Sequence, residues 1–186
     1  MNSYFHPKSM TRPALFGLLT LLCGFVRIPV GPVPVTMQTL AVSCAAIFLN
    51  PVEATMAMVV HLLLKMLFTG GPALVLMPSF GFLLGFIFSA WAGSLLFRKA
   101  PVKNLSLRLV LGLFMASFLP YLFGLPYMAY ILNWVQGLSF GGLKILKRGF
   151  LVFLPGDLIK FFLAYLITQK AGRRILAGEK FSQTTL

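Results

Sequence analysis

Six apolar runs follow one another along the chain, at roughly 12–28, 36–50, 51–68, 78–98, 105–124 and 150–170, and they decide what it can fold into. A helix that crosses the hydrocarbon of a bilayer takes about 20 largely apolar residues, within a range of about 17 to 25. Most of the runs reach that length. A soluble alternative would need a polar coat, and the chain has no material for one. Of 186 residues 59% are hydrophobic and 10% charged, against about 25% charged in an ordinary soluble domain. Three carboxylates (Glu53, Asp157, Glu179) stand against sixteen Lys and Arg, too few for a surface of mixed sign. The expectation is an all-α integral membrane protein, with residues 1–186 as a single membrane domain carrying six transmembrane helices, and with lipid as its surroundings.

A net charge of +13 invites comparison with nucleic-acid-binding proteins, but the basic residues cluster at the ends of apolar runs, as they do on the cytoplasmic flanks of membrane helices. Lipid headgroups are the expected partner, and no nucleic acid. Six spans put both termini on one side. Lys8, Arg12, Arg98, Lys99, Lys103, Arg108, Lys170, Arg173, Arg174 and Lys180 fall there, against Arg27, Lys144, Lys147 and Arg148 opposite. That bias predicts both termini in the cytoplasm, in a multi-pass protein of the cytoplasmic (inner) membrane. Lys8 and Arg12 before an apolar stretch also resemble the start of a signal peptide, but no small-residue cleavage site follows.

Three places depart from a simple run of spans. The second run is short, so it either borrows the proline-rich PVGPVPVTMQT of residues 29–39 or dips only part way across, with Asn50-Pro51 breaking it from the third. Within 29–39 the prolines are expected to hold the backbone extended, Thr36 to cap the second helix, and Gln38 and Thr39 to face a water-filled cavity from its first turn. Between the fifth and sixth runs, LPYMAYILNWVQGL reads as a short interfacial helix with Tyr127, Tyr130 and Trp134 at headgroup level.

Chemistry is sparse. There is no GxxxxGK[ST] loop for ATP and no HExxH or metal-ligand spacing. His6 lies in the tail and His61 within a span, with no acidic pair near either. Cys23 and Cys44 read as small buried hydrophobes. Lys65 shares a helix face with His61 and reads as a snorkelling end residue, and Glu53 as a complement to its helix dipole. The exception is LPGDLIKFF at 154–162. A carboxylate and an ammonium inside a span are costly and normally face a cavity. Pro155-Gly156 places Asp157 in a first turn, and Lys160, three residues on, shares its face. By physics alone the two are equally a self-neutralising ion pair or a ligand site.

VPVTMQTLAV at 33–42, PSFGFLLGF at 78–86 and PGDLIK at 155–160 resemble, in that order, motifs of the BioY family, the biotin-binding S components of energy-coupling-factor (ECF) transporters. Ser79 and Phe80 replace that family's usual Thr and Gly, and FTGGPALVLM lacks its loop amide. The resemblance implies a six-transmembrane-helix S-component bundle, biotin as the ligand with no cofactor, and as partners an ECF transmembrane coupling subunit and two ATPase subunits. It implies Asp157 and Lys160 as substrate-binding residues, which suit a ureido ring's N–H donors and carbonyl acceptor. Phe82 and Trp134 are then expected against the bicycle, Arg27 or Lys144 at the carboxylate tail, Thr36 and Gln38 at the mouth, and Gly70 and Gly71 in a lid. Two other readings stay open: a pocket for another small water-soluble vitamin or a biotin precursor, and an intramembrane enzyme using Asp157.

Overall fold

The structure, a computed structural model, describes residues 7–184, without the side chains of 7–9, 173, 174 and 176–184. His6 and the side chains of Lys8, Arg173, Arg174, Glu179 and Lys180, all of which entered the sequence reading, lie outside the described residues. Among the described residues the structure is all-α apart from one two-stranded hairpin. Helix α1 (Pro7–Cys23) leads into strands β1 (Arg27–Ile28) and β2 (Val35–Thr36), paired antiparallel with Arg27 opposite Thr36. Then follow α2 (Gln38–Phe48), α3 (Pro51–Thr69), the single turn α4 (Pro72–Val75), α5 (Phe80–Lys99), α6 (Leu105–Phe118), α7 (Pro120–Tyr130), α8 (Gly142–Leu146) and α9 (Leu154–Thr184).

Among the described residues four helical paths are long and apolar enough to cross a membrane: Pro51–Thr69, Phe80–Lys99, Leu105–Val135 and Gly142–Gly172. Met10–Cys23 and Gln38–Phe48 are apolar but shorter. Three sequence expectations change here. The first run ends at Cys23, because residues 27–28 are drawn into the hairpin. The interfacial helix expected at 125–138 does not stand apart; α6, α7 and a π-helical turn at Ile131–Val135 form one path. Pro120 breaks the backbone ladder at Leu119 and starts α7 as its first residue, so the path bends without stopping. The last path likewise begins at Gly142, eight residues before the expected 150, and passes through a π-helical turn at Lys147–Leu151.

Helix α2 is the centre of the packing, touching α1, α3, α5, α6 and α9. Residues 41–47 are buried in succession, which small side chains (Ala41, Ser43, Cys44, Ala45, Ala46) allow on every side at once. Eleven residues rise only about 16 Å. Helix α3 follows immediately and is long enough to cross, so the Leu49–Pro51 turn sits at one membrane face and α2 begins near mid-depth.

The end of α2 at that turn is fully satisfied. Arg98 donates to the carbonyls of Ala46 (3.4 Å) and Ile47 (3.2 Å), Arg12 to that of Phe48 (2.7 Å) and Ser94 to that of Leu49 (2.7 Å). Arg98, counted above among the cytoplasmic flanking charges, thus closes a helix end. Asn50 and Glu53 form a reciprocal capping box on α3, so Glu53 is a cap and a partner for Arg12 (3.6 Å), beyond a dipole complement.

Helices α5 and α6 approach closest at a glycine pair. A Cβ on Gly93 would stand 2.6 Å from the Gly112 carbonyl oxygen, and one on Gly112 2.8 Å from that of Gly93, so side chains there would force the backbones apart. Gly17 lets α1 approach α3 in the same way, 2.7 Å from the Ala57 oxygen. Gly112→Val should therefore lower the thermal unfolding midpoint of detergent-purified protein by the equivalent of about 1–3 kcal/mol. Gly31→Ala, in open space, should leave the midpoint unchanged.

Candidate functional site

Above the mid-depth start of α2 a cavity of about 710 Å³, its open mouth included, is enclosed by the hairpin, α2, α3, α5, the α6–α7 bend and α9. Polar backbone at membrane depth is tolerated where it lines such a water-accessible space, which is why Thr36, Gln38 and Thr39 cluster at this helix start. Thr36 lies one residue outside the expected cap position, which Met37 holds, yet its hydroxyl accepts the Gln38 N–H at 3.4 Å and donates to Gln38 Oε1 at 3.1 Å.

The floor is the Asp157–Lys160 pair, 2% and 5% exposed, whose Nζ and Oδ1 are in direct contact. Other elements hold both members. Tyr121, the second residue of α7, donates its hydroxyl to Asp157 Oδ2, and Thr39 donates to Oδ1 at 3.2 Å. Lys160 Nζ also donates to the Thr36 carbonyl at 2.9 Å. Asp157 does lie in the first turn of α9, but its own N–H is bonded to Phe153 O at 2.9 Å and helical chain precedes it. Its partners, rather than a free helix end, stabilise its charge.

These bonds can be counted against capacity. An ionised carboxylate offers about four acceptor sites and an ammonium three donors. Asp157 receives three bonds and Lys160 makes two. One acceptor site on Asp157, at Oδ2, and one donor on Lys160 remain, and both residues line the cavity.

The walls are aromatic. Phe82 meets Tyr121 edge-on at 5.6 Å between centroids and stacks with Phe153 at 6.3 Å, while Phe150 meets the other side of Tyr121 at 5.0 Å. The Tyr121 ring is thereby fixed with its hydroxyl aimed at Asp157. Behind the floor, Gln38 Nε2 lies 2.8 Å from His61 Nε2, and His61 is wholly buried. At the mouth, Arg27 and Lys65 line the cavity, and neither has a carboxylate partner among the described residues.

Of the residues expected at a site, the structure brings together Asp157, Lys160, Thr36, Gln38, Arg27 and Phe82. It places four elsewhere. Trp134 is 82% exposed on the π-helical turn. Lys144 stands over the Phe140 ring at 4.2 Å, outside the cavity. Gly70 and Gly71 lie in the turn between α3 and α4 with positive φ of 85° and 57°, where Gly70 caps α3 in the left-handed conformation that glycine adopts without strain. Tyr121, Phe153 and Phe86 were not anticipated as cavity residues; a phenol hydroxyl in a largely apolar run was the available signal for Tyr121. Lys65 was read as snorkelling, and it instead reaches the mouth. Among the described residues no group of His, Cys, Asp and Glu could hold a metal.

A helical membrane protein with one polar-floored, aromatic-walled cavity opening at one end is the class that these features define, and the solved structures contain a close counterpart. The fold matches "Crystal structure at 2.1 A of the S-component for biotin from an ECF-type ABC transporter" with a TM-score of 0.76 and 25% identity, over 93% of this chain and 95% of that one. The model of the BioY family matches residues 1–177. The chain belongs to the BioY family. Among its relatives are the "Probable biotin transporter BioY" of Bacillus subtilis, 32% identical over 86% of this chain and 90% of its own length, and the "Biotin transporter BioY" of Rhizobium etli, 30% identical over 92% and 94%. That of Thermotoga maritima is 27% identical over 86% and 93%.

Removing one member of a buried ion pair leaves an uncompensated charge, whereas replacing both by apolar residues is often neutral. Asp157→Ala should thus destabilise the purified protein by roughly 3–5 kcal/mol. The double variant Asp157→Leu/Lys160→Met, which leaves no unpaired charge but takes their partners from the Tyr121 and Thr39 hydroxyls and the Thr36 carbonyl, should be destabilised less than Asp157→Ala, as read by thermal unfolding in detergent.

Proposed function

We propose that this chain is the substrate-binding subunit of an ECF-type transporter and takes up biotin from the outer face of the cytoplasmic membrane. The observation that carries the reading is the spare capacity of the floor, one acceptor on Asp157 and one donor on Lys160. A cyclic urea presents the complement, an N–H next to a carbonyl. With the ureido head seated there, the fused rings and chain run past Phe82, Phe153 and Tyr121, and apolar walls with a few convergent polar groups are the usual make-up of such a site.

The carboxylate at the far end of biotin is too distant from its ureido ring for the same pair to hold both. Arg27 and Lys65 at the mouth are its partners in this reading, with Lys65 taking the place that Lys144 held in the sequence analysis. The Gln38 amide, set against His61, stands where the FTGGPALVLM loop offers none.

In the membrane the chain forms six passes, with α2 and its hairpin as a half-length pass beside five full ones, and both termini face the cytoplasm as the charge bias requires. The absence of an ATP-binding loop leaves energy to partners, a transmembrane coupling subunit and two ATPases; co-purification of ATPase subunits with the tagged chain tests this.

Titration of detergent-purified protein should show saturable biotin binding. The Asp157→Leu/Lys160→Met variant, folded by its unfolding midpoint, should bind at least 100-fold more weakly; wild-type-like affinity in that variant would overturn the site. Dethiobiotin keeps the ureido ring and should compete, whereas vitamins without a cyclic urea should not. Arg27→Gln and Lys65→Met should each weaken biotin about tenfold, the scale of one charge-assisted hydrogen bond. Neither should change the affinity for biotin methyl ester, whose neutral tail has no charge to lose.

A further inference from the structure

A second concavity lies on the outside of the bundle, between α7 and α8, with about 560 Å³ of open space. Its lining is apolar but for Asn133: Leu125, Pro126 and Ala129 from α7, Ile145 and Leu146 from α8, and Phe140 from the connection between them. That ring is held in place by Asn133, which donates to the Phe140 carbonyl at 3.0 Å and accepts the Phe140 N–H. Over the ring stand two cations, Lys144 Nζ at 4.2 Å and Arg148 Cζ at 5.1 Å from its centroid. Lys147 shares their helical turn and is exposed.

None of the three has a carboxylate among the described residues, since Glu53 is engaged by Arg12 and Asp157 by Lys160. A largely apolar groove with uncompensated cations over one of its lining residues, Phe140, on helical paths apolar enough to face hydrocarbon, fits one kind of molecule: an acyl chain carrying an anionic phosphodiester. We infer that this groove binds an anionic glycerophospholipid, its phosphate on Lys144, Lys147 and Arg148 and one acyl chain along Leu125, Ala129 and Leu146. Charge complementarity decides the occupant. A neutral or zwitterionic lipid leaves the cluster unpaired or pairs it against its own ammonium, and a free phosphate leaves the groove empty. Ile145, in the floor of the groove, packs in the same apolar cluster as Tyr121 and Phe153 of the cavity wall, so the lipid abuts the outer side of that wall.

The test is thermal unfolding and native mass spectrometry of the full chain, titrated with phosphatidylglycerol, phosphatidylcholine or soluble glycerol phosphate. Phosphatidylglycerol should raise the unfolding midpoint by several degrees and be retained at least tenfold more than phosphatidylcholine, while glycerol phosphate should do nothing. Lys144→Gln/Lys147→Gln/Arg148→Gln should abolish the preference. Ala129→Phe, which fills the groove and keeps the charges, should abolish retention of the lipid. Equal retention of the two lipids, a preference that survives the triple substitution, or an equal shift with glycerol phosphate would each overturn the assignment. The first comparison uses the unaltered protein and so decides the matter even if a variant fails to fold.

Discussion

An eleven-residue helix packed among helices long enough to cross a bilayer leaves half of its own column unfilled, and the architecture follows from that shortfall. One end of α2 is closed: four consecutive carbonyls from Ala46 to Leu49 receive side-chain donors from Arg98, Arg12 and Ser94. The other end opens at mid-depth, where unpaired helix-start groups would be intolerable against lipid. The hairpin at 27–36 supplies the remedy by folding back over the gap and bringing Thr36 to Gln38. The space left between hairpin and helix is the cavity. Seven successive buried positions in α2 complete the argument, because a helix surrounded on all sides has no lipid face and can spend its polar residues at its start.

The Asp157–Lys160 pair sits where these constraints meet. Desolvating two charges costs more than their mutual attraction returns unless further hydrogen bonds supplement it. Here those bonds come from three separate elements, Thr39 on α2, Tyr121 at the α6–α7 bend and the Thr36 carbonyl on β2. The pair therefore ties α9 to the hairpin and to α7. Satisfied this far but not completely, the pair is held from several elements and keeps bonding capacity to spare. Both sequence readings of the pair, neutralisation and recognition, are compatible in this geometry, because the contact between the two charges uses only part of their bonding capacity.

The sequence revealed what depends on local composition. Spans from α3 and α5, the short second helix, the break at Asn50-Pro51 and the pairing of Asp157 with Lys160 all follow from runs of apolar residues and from i, i+3 spacing. What depends on continuity was misread. The fifth run reads as ending at 124, with Pro126 and the polar Asn133 in a separate interfacial helix, but a helix enclosed by neighbours bends at a proline and continues. Gly85 permits this by letting the Pro120 backbone approach to 2.8 Å of where a Cβ would stand. Long-range partners were equally hidden. Tyr121 and Asp157 are 36 residues apart, and Thr39 and Asp157 are 118 apart, separations that no local pattern encodes. Trp134 drew notice as an aromatic near the right span, yet its position on the π-helical turn points it away from the bundle.

The shortage of acid that first marked the chain as a membrane protein also orders its charges. Of the three carboxylates, Glu53 meets Arg12 at the closed face and Asp157 meets Lys160 at the cavity floor. No carboxylate is left among the described residues for Arg27 and Lys65 at the mouth or for Lys144, Lys147 and Arg148 beside the outer groove. Cations gathered without counter-ions repel one another, and any anion that reaches them removes that cost. A solute with a carboxylate at one end and a neutral hydrogen-bonding ring at the other supplies the mouth with what the chain omits while leaving the neutralised floor undisturbed. A fourth acid at the mouth would remove the repulsion permanently, and with it the advantage of an anionic tail over a neutral one.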